Sequence, residues 1–277
     1  MKFVSLPDRT QVPALGLGTW RLGEAPERRA AELDTLRTAF DLGYRLFDTA
    51  EMYADGRAEE LLGEALAGRR HEAFIVSKVL PQNSWVKAAR AACERSLKRL
   101  RTDYIDLYLL HWREQVSLPE VLESMERLVA AGKIRRWGVS NFDTADLKEL
   151  WSIPDGNRCA VNQVWYSLGS RGPEFDLLPW QRERRLPLMA YCPLDEGRLA
   201  VHPALTALGR RYRASAAQLA LAWLLSHPEV IAIPKAAHPG HLNENLAAAR
   251  ITLSPQDAAE LDRVFQPPRS KQRLAMV

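Results

Sequence analysis

Cysteine is scarce in this chain of 277 residues: Cys93, Cys159 and Cys192 are the only three, and no C-x-x-C pair occurs. Neither a disulfide framework nor a thiolate metal site is expected, and reduced thiols in a cytoplasm fit that count. Long apolar runs are also missing. The longest, residues 219–225, is far too short to cross a bilayer, and the amino-terminal segment lacks the apolar core of a signal peptide. A secreted or membrane-embedded protein is therefore not expected. No H-x-H or H-E-x-x-H is present, which leaves little basis for a metal centre. No Ser/Gly-rich linker or compositional break divides the chain, so one domain spanning 1–277 is expected. Apolar residues make up 47% and charged residues 26%, which excludes the disordered classes and allows a sizeable core.

Charge of one sign is not strongly in excess. The formal net charge is +4, with basic runs at 95–101, 133–136 and 210–213. These lie late in apparent helices or just past them, where cations complement the helix dipole. They lack the interleaved aromatics of a stacking platform, so they read as solvated helix ends and not as a nucleic-acid groove.

What the chain does contain is an alternation of short apolar runs with longer amphipathic stretches. The runs fall at 14–18, 45–49, 73–79, 104–111, 135–140, 160–164, 187–191 and 230–234. Several show little polar alternation, as expected for parallel strands buried on both faces. Between them, Val86, Ala89, Cys93, Leu97 and Leu100 trace one helical stripe, and similar stripes occupy 118–129 and 216–225. Eight β-then-α units at this length predict an α/β fold, a single (β/α)8 TIM barrel. The competing open sheet of the Rossmann type needs a third glycine after Gly16-Leu-Gly18, and Arg21 stands there instead. Ahead of the first strand, apolar residues 3–6 and 12–15 flank the Pro-led turn 7–10, which predicts an N-terminal β-hairpin.

Reactive groups of such a barrel sit at the carboxyl ends of its strands. Asp48 ends the second run, Lys78 the third, His111 the fourth and Ser140-Asn141 the fifth, with Gln163 near the end of the sixth and Tyr53 in the loop after Asp48. Each alone has a plain structural explanation as a helix cap, a solvated lysine or a core histidine. Together, an acid, a lysine, a tyrosine and a histidine at one rim suit carbonyl reduction. Hydride delivered to carbon leaves negative charge on oxygen, which a proton must meet. Tyrosine, with a pKa of about 10, is a poor acid unless a neighbouring ammonium such as that of Lys78 stabilises its phenolate. Asp48 would hold Lys78 charged, and His111 would orient the carbonyl by a hydrogen bond.

The segment Gly43-Tyr-Arg-Leu-Phe-Asp48-Thr-Ala-Glu-Met-Tyr53 resembles the first signature of the aldo-keto reductases. Residues 97–111, running into His111, resemble the second, and Ile231-Ala-Ile-Pro234-Lys235 resembles the motif that opens the cofactor clamp; the match is collinear from Gly16 to about Phe265. The resemblance implies that Asp48, Tyr53, Lys78 and His111 form a catalytic tetrad with Tyr53 as general acid. It implies that Ser140, Asn141 and Gln163 hold the nicotinamide carboxamide and that Tyr191 stacks on the ring. It extends the cofactor surface to Gly18, Thr19, Trp20, Asp48, Cys192, Pro193, Leu194, Ile233, Lys235, His241, Glu244 and Asn245.

Around the adenosine the sequence departs from the family pattern: Ala236 and His241 stand where a hydroxyl residue and an arginine are usual. With Lys235 kept, NADPH is the expected cofactor and NADH a possible one. Trp20, Trp112 and Trp85 are expected to line the substrate mouth beside Tyr53 and His111. The short tail after Phe265 predicts a shallow, open pocket suited to small aldehydes. Segments such as 48–55, 110–112, 133–141 and 167–172 resemble the bacterial branch that reduces methylglyoxal. A cytoplasmic monomer acting on a small aldehyde without metal, membrane or nucleic acid is expected; the alternative is a cofactor-sensing or partner-binding subunit on the same barrel.

Overall fold

A computed structural model describes residues 2–114 and 116–276. The hairpin comes first, β1 (Phe3–Ser5) pairing antiparallel with β2 (Gln11–Pro13) so that Val4 faces Val12. Eight parallel strands follow: β3 (Leu17–Gly18), β4 (Leu46–Asp48), β5 (Phe74–Val79), β6 (Leu107–Leu110), β7 (Trp137–Ser140), β8 (Asn162–Trp165), β9 (Leu188–Tyr191) and β10 (Val230–Ala232). They are adjacent in chain order. The two ends of the sheet meet: Gly16 N donates to Ala232 O at 2.9 Å, Ala232 N to Ala14 O at 2.8 Å and Gly18 N to Pro234 O at 3.1 Å. Closure leaves no free edge, as a (β/α)8 barrel requires.

Gly18 serves this seam, while Gly16 lets the chain pass close to β4. A Cβ at Gly18 would lie 3.0 Å from the Ile233 carbonyl oxygen, and one at Gly16 would lie 3.0 Å from that of Leu46. Both contacts are tighter than side chains normally tolerate, so the backbone can approach only where Cβ is missing.

Helices cover the barrel: α1 (Arg29–Asp41), α2 (Arg57–Ala65), α3 (Val86–Leu100), α4 (Leu118–Ala130), α5 (Thr144–Ser152) and α6 (Leu177–Glu183). The β9–β10 crossover carries two, α7 (Pro203–Tyr212) and α8 (Ala216–Leu224), and α9 (Pro239–Ala248) and α10 (Pro255–Val264) follow β10. In α3 the stripe residues Ala89, Cys93, Leu97 and Leu100 are buried, as their spacing requires. Among the described residues, no helix is long and apolar enough to cross a membrane.

The basic runs are mostly exposed, and several of their cations are also ion-paired. Arg99, in the last turn of α3, donates to buried Glu59 at 2.6 Å, and Glu59 also accepts from Ser77 at 2.6 Å. Lys133 pairs with Glu94 at 3.0 Å, and Arg136 with Asp8 at 2.6 Å. The sequence gives the position of these cations on helix ends but not the acids that neighbouring elements bring to them.

Candidate active site

The strand ends gather the predicted groups into one cavity of about 550 Å³. Asp48 closes β4, and its carbonyl is pinned by Thr19, whose amide and hydroxyl donate to it at 2.9 and 3.0 Å. Lys78, on β5, is fully buried. Its ammonium donates to Asp48 Oδ2 at 2.7 Å, to the Thr49 carbonyl at 2.8 Å and to the Tyr53 hydroxyl oxygen at 3.1 Å. All three of its protons are therefore used. The Tyr53 oxygen accepts from Lys78, which leaves the phenol O–H to point elsewhere, toward the cavity that Tyr53 lines.

Tyr53 opens a tight turn in which Ala54 and Asp55 hold φ of 49° and 55°. Two consecutive left-handed residues other than glycine cost about 1–2 kcal/mol each. That strain is tolerated where it sets the approach of the phenol to the ammonium.

The sequence predicts that Lys78 lowers the proton affinity of Tyr53; the structure reverses the direction. Burial pushes the phenol well above its ordinary range, and the negative charge of Asp48 adds to it. Lys78 has its charge offset by Asp48 at 2.7 Å, so it does not outweigh the loss of water. Tyr53 is thus held protonated, the form an acid needs. Burial also raises Asp48 and lowers Lys78, each opposed by its partner's charge.

His111 follows β6, its ring edge-on to Tyr53 with centroids 5.9 Å apart. Burial, with the charge of Lys78 adding, pushes its imidazole down to about 2, so the ring is neutral. Nδ1 is buried without a hydrogen-bond partner among the described residues. A buried N–H left unmet is costlier than a lone pair left unmet, which assigns the ring proton to Nε2. His111 is therefore expected to show no protonation step between about pH 5 and 8 when its ring nitrogens are followed by NMR. A titration in that window would refute the neutral donor.

Opposite the tetrad lies a second polar group. Asn141, at φ 62°, donates from Nδ2 to the His111 carbonyl at 3.1 Å and to Ser140 Oγ at 3.2 Å, and accepts from the Tyr191 hydroxyl at 2.8 Å. Ser140 donates to the Gln163 carbonyl at 2.9 Å, and Gln163 Nε2 donates to Asp48 Oδ1 at 2.7 Å. The two groups are thereby one hydrogen-bonded assembly.

The cavity is lined further by Cys192, Pro193, Leu194, Ile233 and Trp20, and by Lys235 with its bridge partner Gly18. Arg21 also faces it, and neither Arg21 nor Lys235 has an acid within 4.0 Å among the described residues. A cleft of this volume, lined by amide groups and by two cations without an acid within 4.0 Å among the described residues, fits a dinucleotide.

Some predicted residues lie elsewhere. Trp85 is 48% exposed just ahead of α3 and does not line the cavity, because the loop after β5 turns it outward. His241, Glu244 and Asn245 sit on α9, beyond the cavity's Lys235 end. Thr19 is buried beneath the cavity, where it holds the Asp48 carbonyl. Sequence reasoning missed Arg21, Met52, Glu196, Gly197 and Met276, all of which line the cavity. Met52 stood inside the first signature, where its place beside Tyr53 could have marked it.

The carboxyl-terminal tail contributes to the cavity wall. Lys271 reaches Asp143 at 3.2 Å and Asp176 at 3.3 Å, Leu274 packs on the core, and Met276 lines the cavity. These anchors bring the short tail to the rim of the cavity.

Comparison with known proteins agrees with this geometry. Residues 14–266 match the model of the aldo/keto reductase family. The chain is 49% identical over 281 residues to methylglyoxal reductase YeaE of Escherichia coli, covering 100% of this chain and 99% of that one. It is 32% identical over 260 residues to a glyoxal reductase of Bacillus subtilis, covering 94% and 91%. An aldo-keto reductase from Klebsiella pneumoniae, crystallised with NADPH, superimposes with a TM-score of 0.97 at 50% identity, covering 100% and 99%. With its closed barrel, its Tyr53–Lys78–Asp48 array and a match along nearly its whole length, this chain belongs to the aldo/keto reductase family.

Proposed function

We propose that this chain is an NADPH-dependent reductase of small aldehydes and 2-oxoaldehydes such as methylglyoxal. The observation that carries it is the Tyr53 phenol, 3.1 Å from an ammonium that is itself 2.7 Å from a buried carboxylate, opening into a cleft with room for a dinucleotide. NADPH would be held by Asn141, Ser140, Gln163 and Tyr191 at one end and by the charges of Lys235 and Arg21 at the other. When bound, it supplies the hydride that goes to the carbonyl carbon.

The chain's own residues manage the oxygen. His111 Nε2–H donates to the carbonyl oxygen and fixes its direction. Tyr53 gives its proton to that oxygen as charge develops, and the resulting phenolate is met at once by the Lys78 ammonium already bonded to it. Asp48 keeps that ammonium in place. Trp20, Met52, Trp112 and Met276 wall the mouth and keep water from the reacting atoms. Such an apolar, partly covered mouth suits small carbonyl compounds.

Purified protein mixed with NADPH and methylglyoxal is expected to consume the nicotinamide absorbance at 1:1 stoichiometry with substrate. A panel of aldehydes assayed with NADPH and NADH is expected to favour NADPH, through the extra phosphate that Lys235 and Arg21 can meet. Absence of turnover with every small aldehyde would replace this reading by a cofactor-sensing subunit.

A further inference from the structure

Asp48 and Gln163 stand on β4 and β8, on opposite sides of the barrel, yet their side chains meet across it at 2.7 Å. The two residues are 2% and 1% exposed. The amide's orientation is fixed by chemistry: a carboxylate already bonded to an ammonium only accepts, so the nitrogen must face it. The second N–H of Gln163 is spent on Met189 Sδ at 2.9 Å. Both amide protons are thus committed inside the barrel, and only Oε1 is left for a ligand in the cavity.

We propose that Gln163 is a positioning residue for the proton transfer: its amide holds Asp48 ionised and, through Asp48, keeps Lys78 charged beside the Tyr53 phenol. This rests on Tyr53 being the acid of the proposed reaction. Asp48 Oδ1 and Oδ2 have one side-chain donor each, Gln163 and Lys78. Burial drives the carboxylate and the ammonium toward neutrality, so the ionised pair depends on every bond that favours charge. Removing the amide lets the proton pass from Nζ to the carboxylate. A neutral amine no longer stabilises the phenolate, and the acid weakens.

The titratable groups that the surrounding elements turn toward this pair are Tyr53 and Glu59 from the β4–α2 segment, His111 after β6, and Tyr191 and Cys192 at the end of β9. His111 is neutral and the phenols are protonated through the assay range, so a new ionisation introduced at position 163 is readable against them.

The test compares wild type, Gln163→Met and Gln163→Glu. It measures the NADPH dissociation constant by nucleotide fluorescence and the pH profile of kcat at saturating NADPH. Methionine keeps the length and removes the donor together with Oε1; kcat at saturating NADPH is expected to fall about tenfold or more, over and above any weakening of NADPH binding that follows the loss of Oε1. Glutamate can remake the bond only when protonated, and its closeness to Asp48 raises its proton affinity. Its kcat is therefore expected to recover toward acid pH and to decline as pH rises through that carboxyl, a limb absent from wild type. This limb is internal to one folded protein, so it tests the link even if methionine destabilises the barrel. The proposal is overturned if Gln163→Met weakens NADPH binding with saturated kcat unchanged, or if the two variants share one pH profile. Wild type without turnover would instead remove the underlying role of Tyr53.

Discussion

Replacing Tyr53 by phenylalanine is expected to lower kcat by about a hundred- to ten-thousandfold, the range that one positioned acid contributes. The expectation follows from a single hydroxyl. The ring edge-on to His111 is kept by phenylalanine, as is the apolar wall of the cavity. The lost oxygen accepts from Lys78 and lies apart from the cavity's cation end. NADPH affinity, read by fluorescence titration, is therefore expected to change little. A variant that loses cofactor binding in proportion to activity would show Tyr53 to be a cofactor contact.

The second large effect is expected at Lys78, and it falls on stability as well as on rate. Lys78→Met leaves Asp48 buried, with Gln163 as its one remaining side-chain donor. Breaking one side of a buried pair costs about 3–5 kcal/mol, because the surviving charge has neither water nor counterion. In a chain of this size that lowers Tm by on the order of 10 °C. Adding Asp48→Asn is expected to return much of the stability and none of the turnover, since the stranded charge is gone but the phenolate still lacks its cation. Scanning calorimetry of the two single variants and the double variant measures the coupling. Additive losses would mean that the pair contributes no mutual stabilisation.

Most of the barrel could be read from the chain because its strands are apolar on both faces and its helices carry one clear stripe. The eight runs contain or overlap β3 to β10, and the stripe from Val86 to Leu100 coincides with α3. Strand ends were harder to place. β8 runs through Trp165, one residue past the expected stop, since the hydrogen bonds to β9 that set its end are invisible in local pattern.

The catalytic groups were legible because barrel geometry places strand-end residues at one rim. Their electrostatics were not. Sequence names Lys78 as a neighbour of Tyr53, but the direction of the phenol's shift depends on how completely water is excluded, and that follows from packing by the whole barrel. Trp85 and Met276 show the same limit. One lies near Lys78 in sequence and is turned to solvent, while the other is far from every motif and is brought to the cavity by the Lys271 bridges.

The complete burial of Lys78 has a chemical consequence for an enzyme that handles electrophiles. Dicarbonyl compounds condense with free amines to imines and further adducts, and a reactive lysine at a working rim would be consumed by the compound it helps to convert. Here the amine has no exposed surface and its three protons are all engaged. The phenol and the His111 imidazole face the incoming carbonyl, and the amine behind them is shielded from self-inflicted glycation.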